Sequence, residues 1–213
     1  MTINKQSMLL YAVTDRSWLN GAKLADQVEQ CVKAGVTFVQ LREKNLDFDS
    51  FVQQAKEVKA ITDRYHVPFV INDNPRVAKA VEADGVHVGQ GDLSIQEIRN
   101  ILGADKIIGV SAKTVDQAVK AQREGASYLG VGAAFSTSTK LDASTISLDR
   151  YQEITRSVTI PVVAIGGIGP DNVQRLQGTG IDGIAVVSAI FAQPDIAAAT
   201  RHLVQLARQV VRK

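Results

Sequence analysis

The sequence is short of cysteine, of long apolar runs and of any charge excess. Its one cysteine, Cys31, rules out a disulfide within the chain and fits a reducing, cytoplasmic setting. No apolar run approaches the roughly 20 residues a membrane-spanning helix needs. The first residues, MTINKQSMLLYAV, lack the long apolar stretch and small-residue cleavage site of a secretory signal. Lys plus Arg number 24 against 22 for Asp plus Glu, a formal net charge of +2. These charges are dispersed, so nothing argues for a nucleic-acid or membrane partner. Segments rich in Pro or Ser that would mark a linker are also lacking, and residues 1–213 are expected to form a single domain.

What is there is a recurring pattern. Short apolar, β-branched runs begin at Leu9, Phe38, Phe69, Gly85, Ile107, Tyr128, Val162 and Gly183. Helical spacing fills most of the intervals: Leu24, Val28 and Val32 on one stripe, Phe51, Ala55, Val58 and Tyr65 on another. Ser94 with Glu97 and Thr114 with Gln117 read as capping boxes, and Gly35 and Gly125 stand where helices should stop. Strand and helix alternating eight times predict an α/β domain with a parallel sheet. A doubly wound sheet would fit the same alternation. The closed (β/α)8 TIM barrel is the stronger reading, because branched apolar residues on one side of a run face polar or tiny ones on the other. Val39 and Leu41 oppose Gln40 and Arg42, as Ile108 and Val110 oppose Gly109 and Ser111. The stretch 130-GVGAAF-135 has Phe135 where a dinucleotide-binding fingerprint needs its third glycine.

Barrel enzymes work at the C-terminal ends of their strands. Those ends carry Arg42 and Lys44, Asn72 and Asp73, Gln90 and Asp92, Ser111, Thr137 to Lys140, Gly166 and Gly167, and Ser188. VAIGGIG, with a helix expected from about Pro170, and VVSAIF resemble the two loops that commonly cradle phosphate with backbone N–H groups. Asp73 and Asp92 would suit Mg2+, an ion that keeps several waters and seldom sits in an all-protein cage. The hydroxyl-rich segment 134–147 with Lys140 exceeds the usual ~2–6 residues of such a loop and suits a lid. Cys31 falls on an apolar helical stripe and reads as core; His66 and His202 are placed near helix C-termini; His87, between glycines in a strand, reads as buried and satisfied. No Ser/His/Asp order supports a hydrolytic triad.

A backbone-amide phosphate site on one side and a cluster of cations and carboxylates on the other suggest two anionic groups bound together. A diphosphate leaving group needs no general base, since stabilising its departing charge is the catalysis. The residues therefore point to transfer of a group from a diphosphate to a phosphorylated acceptor.

The stretches QLREK (Gln40 to Lys44), INDN with Asn72 and Asp73, DGVHVGQGDL (Asp84 to Leu93), GVSAKT (Gly109 to Thr114), GVGAAFSTSTK (Gly130 to Lys140), AIGGI (Ala164 to Ile168) and DGIAVVSAI (Asp182 to Ile190) together resemble the thiamine-phosphate synthase family. The resemblance implies a (β/α)8 barrel that joins 4-amino-2-methyl-5-(diphosphooxymethyl)pyrimidine to a thiazole phosphate, plain or carboxylated, forming thiamine phosphate and pyrophosphate. It implies that Gln40, Leu41, Arg42, Glu43, Lys44, Asn72, Ser111 and Lys140 hold the pyrimidine diphosphate, and that Asp73 and Asp92 bind Mg2+. Thr137, Ser138, Thr139, Gly167, Val187 and Ser188 would hold the thiazole phosphate. Arg42, Lys44, Lys140 and Ser111 are the expected catalytic set, in a dissociative mechanism. The implied partners are these small molecules, with homo-oligomerisation left open. Many family members carry prolines where this chain has Ala133 and Ser136. A thiazole tautomerase-like enzyme or a non-catalytic precursor sensor on the same barrel are the alternatives.

Overall fold

The structure, a computed structural model, describes residues 3–19, 21–136 and 145–211. Eight short strands form one closed parallel barrel in chain order: β1 (Leu10–Val13), β2 (Phe38–Leu41), β3 (Phe69–Asn72), β4 (Gly85–Val88), β5 (Ile107–Ala112), β6 (Tyr128–Gly132), β7 (Val162–Ile165) and β8 (Gly183–Val186). Closure is made by β8 against β1, with Leu10 opposite Ile184 and Ala12 opposite Val186. Closing the sheet leaves no edge strand to pair with another chain.

Period-two alternation sorts the strand residues into two cores. Tyr11, Val13, Phe38, Val70, Ile107, Tyr128, Val163 and Ala185 fill the barrel interior, and Ile3 and Met8 join them. Val39, Leu41, Ile71, Val86, Ile108, Val110 and their equivalents meet the helices outside. Truncating a fully buried member such as Leu41 to alanine would cost about 2–5 kcal/mol.

The helices are α1 (Leu24–Lys33), α2 (Phe48–Arg64), α3 (Pro75–Ala80), α4 (Ile95–Leu102), α5 (Val115–Glu124), α6 (Leu148–Ser157), α7 (Ser188–Phe191) and α8 (Ile196–Val210). Their starts follow local chemistry. Ser94 and Glu97 complete a reciprocal capping box on α4. Thr114 caps α5, but the Gln117 side chain accepts from Lys113 N at 2.8 Å rather than from Thr114, so that box is half formed. Gly125 ends α5 with φ 100°, a left-handed conformation that costs glycine nothing. Cys31 is fully buried on the inner face of α1, and burial pushes its thiol up to about 12.

Two expectations need correction. No α-helix starts near Pro170: the segment after β7 forms only a 3₁₀ turn, Val173–Leu176. The Asn172 side chain accepts from Gly169 N at 2.9 Å and donates to Gly167 O at 2.8 Å. It thereby takes up backbone groups that a helix would have used. His202 lies in the middle of α8, not near its end, while His66 does follow the last residues of α2, at φ 55°.

Candidate active site

The C-terminal ends of the strands open into a cavity of about 690 Å³. Strand register decides which side chains reach it. Val13 lies opposite Gln40, Asn72 opposite His87, and Ser111 opposite Gly130, so the last inward residue of each strand looks into one mouth. Gln40, Arg42, Lys44, Asn72, Asp73, Asp92 and Ser111 line this cavity together with Gly167, Val187 and Ser188.

The two cations are held differently. Lys44 stands exposed at the rim. Arg42 is mostly buried and its Nη1 lies 3.6 Å from Asp15 Oδ2. Asp15 follows β1 and also caps the next turn, accepting from Ser17 N at 2.9 Å. That carboxylate answers the repulsion expected between Arg42 and Lys44, because it draws one cation toward itself. The sequence reading did not single out Asp15, although it stands at the end of the first apolar run, where the strand-end rule would have found it.

Asp73 and Asp92 meet at the mouth from β3 and β4. Asp73 sits at φ 59°, and its pKa is raised to about 6, first by burial and then by the negative charge of Asp92. Asp92 Oδ2 accepts from Gly89 N at 2.7 Å. Two juxtaposed carboxylates in an open, wet cavity suit a divalent cation that fills its remaining sites with water and phosphate oxygen. No group of three or more acidic, His or Cys ligands exists among the described residues.

From the ends of β7 and β8, Gly166, Gly167, Val187 and Ser188 line the same cavity. Gly167 has φ 63°, and a Cβ there would fall 2.3 Å from Ser136 O. The loop after β6 therefore lies directly against it, and only glycine fits. Thr137, Ser138, Thr139 and Lys140 lie outside the described residues.

Leu41 and Glu43 are not brought to the cavity. Leu41 points to the helices and is fully buried. Glu43 points the other way from Arg42 and Lys44: its carboxylate is 6% exposed and lies 4.0 Å from Arg16. Burial raises its pKa, and its Oε1 has no hydrogen-bond partner among the described residues.

His87 is buried and satisfied, as expected from its setting, yet it also lines the cavity. Its Nδ1 lies 2.9 Å from Tyr128 Oη and its Nε2 3.0 Å from Ser111 Oγ. Burial lowers its pKa to about 4, which keeps the imidazole neutral at physiological pH. Tyr128 touches Tyr11, which reaches Gln40. Sequence reasoning had no signal for these pairings, since Tyr11 and Tyr128 stand far apart in the chain.

A parallel barrel with its polar groups gathered at the upper rim is the (β/α)8 enzyme class. Relatives narrow it. The model of the family described as thiamine monophosphate synthase matches residues 10–190. The chain is 50% identical over 194 residues to the thiamine-phosphate synthase of Clostridium tetani, covering 91% of this chain and 93% of that protein. It is 51% identical over 203 residues to the thiamine-phosphate synthase of Ruminiclostridium cellulolyticum, covering 95% and 97%. The solved thiamine phosphate pyrophosphorylase from Pyrococcus furiosus superimposes with a TM-score of 0.90 at 36% identity, over 98% of this chain and 99% of that one. The chain belongs to the thiamine monophosphate synthase family.

Proposed function

We infer that this protein is a thiamine-phosphate synthase, a transferase that moves the aminopyrimidine-methyl group from its diphosphate to the nitrogen of a thiazole phosphate. One observation carries the reading. The cavity is lined by Arg42, Lys44, Asp73 and Asp92 from beyond β2, β3 and β4 and by Gly167, Val187 and Ser188 from beyond β7 and β8, so it suits two anionic substrates at once. A tautomerase acting on one phosphorylated substrate would have no use for the first set.

Arg42 and Lys44 would hold the diphosphate, and Gln40, Asn72 and Ser111 the pyrimidine. Backbone N–H groups around Gly167 and Ser188, with the residues from Thr137 to Thr139, would hold the thiazole phosphate. Asp73 and Asp92 would hold Mg2+, which when bound neutralises charge on the pyrophosphate oxygens. The C–O bond of the pyrimidine substrate breaks with both electrons leaving on pyrophosphate. The resulting pyrimidine-methyl cation is stabilised by its ring amino group, and the thiazole nitrogen lone pair then forms the C–N bond. No proton needs to move at the reacting carbon. The positive charges of Arg42 and Lys44 would serve the departing anion, with Lys140 given the same role by the family resemblance, and this is where electrostatic preorganisation gives its largest effect.

No described helix is long and apolar enough to cross a membrane, and we read the protein as a cytoplasmic enzyme of small-molecule substrates. The test is to supply both substrates with Mg2+ and to measure thiamine phosphate and pyrophosphate. Equal amounts of the two products are expected; no product from the purified, folded protein would overturn the assignment.

A further inference from the structure

Six hydrogen bonds form an unbroken chain across the barrel, from Ser111 through His87, Tyr128, Tyr11, Gln40 and Asn72 to Asp73. Amides, hydroxyls and imidazole can each be turned round, so the contacts alone do not say which atom donates. The carboxylate at the end does. Asn72 presents Nδ2 to an Asp73 carboxylate oxygen, at 2.6 Å. That leaves Asn72 Oδ1 for Gln40, which must answer with Nε2, at 2.6 Å. Gln40 keeps Oε1 for the Tyr11 hydroxyl, which donates at 2.5 Å. With its hydrogen committed, the Tyr11 oxygen accepts from Tyr128 at 2.7 Å. The Tyr128 oxygen must then accept from His87 Nδ1, at 2.9 Å.

His87 is buried, and neither ring nitrogen bonds a carboxylate among the described residues. A buried imidazole without such a partner is neutral and carries one N–H. With that hydrogen on Nδ1, Nε2 accepts, and the donor is the Ser111 hydroxyl, at 3.0 Å. The rings have room for this because of glycine. A Cβ at Gly109 would fall 2.2 Å from Tyr128 Cζ, and one at Gly130 would fall 2.9 Å from His87 Cε1.

We propose that Tyr11, Tyr128 and His87 are positioning residues whose hydrogen bonds all run one way, toward Asp73, and fix Ser111 as a hydrogen-bond acceptor facing the cavity. The Ser111 hydrogen is committed to His87, so the oxygen offers lone pairs alone and selects a substrate N–H group, such as the amino group of an aminopyrimidine. This last step rests on the proposed function; the sense of the chain does not.

The first test therefore uses the substrate-free protein. Two-bond ¹H–¹⁵N spectra at neutral pH report each histidine tautomer, with the His87 signals assigned by their loss in His87→Gln. The expected pattern is a pyrrole-type Nδ1 and a pyridine-type Nε2. The opposite tautomer, or an imidazolium, would overturn the proposal whatever the enzyme turns over. The second test is Tyr11→Phe, which cuts the chain three hydrogen bonds from Ser111; because Tyr11 also bonds Gln40, the His87 tautomer is the deciding readout. His87 is expected to lose its single tautomer, and kcat/KM for the pyrimidine diphosphate to fall about fivefold or more, the worth of a typical hydrogen bond, with KM for the thiazole phosphate unchanged. A Tyr11→Phe protein that folds and keeps both the tautomer and the kinetics of the wild type would show that the chain transmits nothing. Should Tyr11→Phe not fold, Tyr128→Phe serves with the same two readouts.

Discussion

Arg42 Nη1 lies 3.6 Å from Asp15 Oδ2, and both side chains are largely withdrawn from solvent. The pair aims a guanidinium into the cavity while Lys44 stands apart at the rim. Loss of the carboxylate has two opposed effects: it removes a negative charge near an anion site, and it releases a long side chain that was held in place. We expect the second to dominate, since a guanidinium recognises phosphate through fixed geometry. Asp15→Asn should raise KM for the pyrimidine diphosphate by roughly three- to tenfold and leave the thiazole phosphate KM unchanged. A lowered KM would mean that net charge, not orientation, governs binding there.

Lys44 meets no carboxylate within ion-pair distance among the described residues, so its charge is available to a leaving group. Lys44→Ala should lower kcat about 10²-fold or more with little change in thiazole phosphate affinity. Steady-state kinetics on each substrate separately checks this. Equal losses in turnover and thiazole phosphate binding would place the lysine at the wrong substrate.

Burial first, and then the negative charge of Asp92, raise the Asp73 pKa to about 6. Asp92→Asn should raise the Mg2+ concentration for half-maximal rate about tenfold or more, and chelation should abolish turnover of the wild type reversibly. A Mg2+ titration that the substitution leaves unmoved would remove Asp92 from the metal site.

Gly167 combines φ 63° with a backbone oxygen where a Cβ would go. Gly167→Ala should destabilise the fold by about 1–3 kcal/mol and weaken thiazole phosphate binding, because the loop after β6 must retreat. Urea melts and the KM for that substrate are the measurements. An alanine accepted without loss in either would mean that the loop yields freely.

His87 has a pKa near 4 in the folded protein against about 6.5 in an unfolded chain. Between these values the unfolded state binds the extra proton, so the contribution of His87 is complete above pH 6.5 and is lost as pH falls toward 4. Its full size is about 3 kcal/mol. Asp73 pulls the other way over part of the same window, so the comparison should be between wild type and His87→Gln. The stability difference between pH 7 and pH 4.5 should be smaller in the variant by about 2–3 kcal/mol.

Much of the site was legible before the fold was known. Gln40, Arg42, Asn72, Asp73, Asp92 and Ser111 stand at or just beyond strand ends, and the barrel carries such positions to one mouth. Leu41 and Glu43 were taken along with QLREK as a block, but alternation turns them away from their neighbours. The helix expected from Pro170 failed because Asn172 bonds the backbone of its own turn, a competition that apolar spacing does not register.

The sequence by itself determined the eight-fold alternation, the split between helix-facing and inward residues, and the polar ends of the strands. All three are local, set by a period of two along a strand and by residue types in the turn that follows it. Only the tertiary structure decided who pairs with whom. Tyr11 meets Tyr128 across 117 residues because both point inward from opposite parts of a closed ring. Asp15 meets Arg42, and His87 meets Ser111, because β1 lies beside β2 and β4 beside β5 in the barrel. Closure fixes distances between strands that no spacing along the chain encodes, and the site depends on those distances.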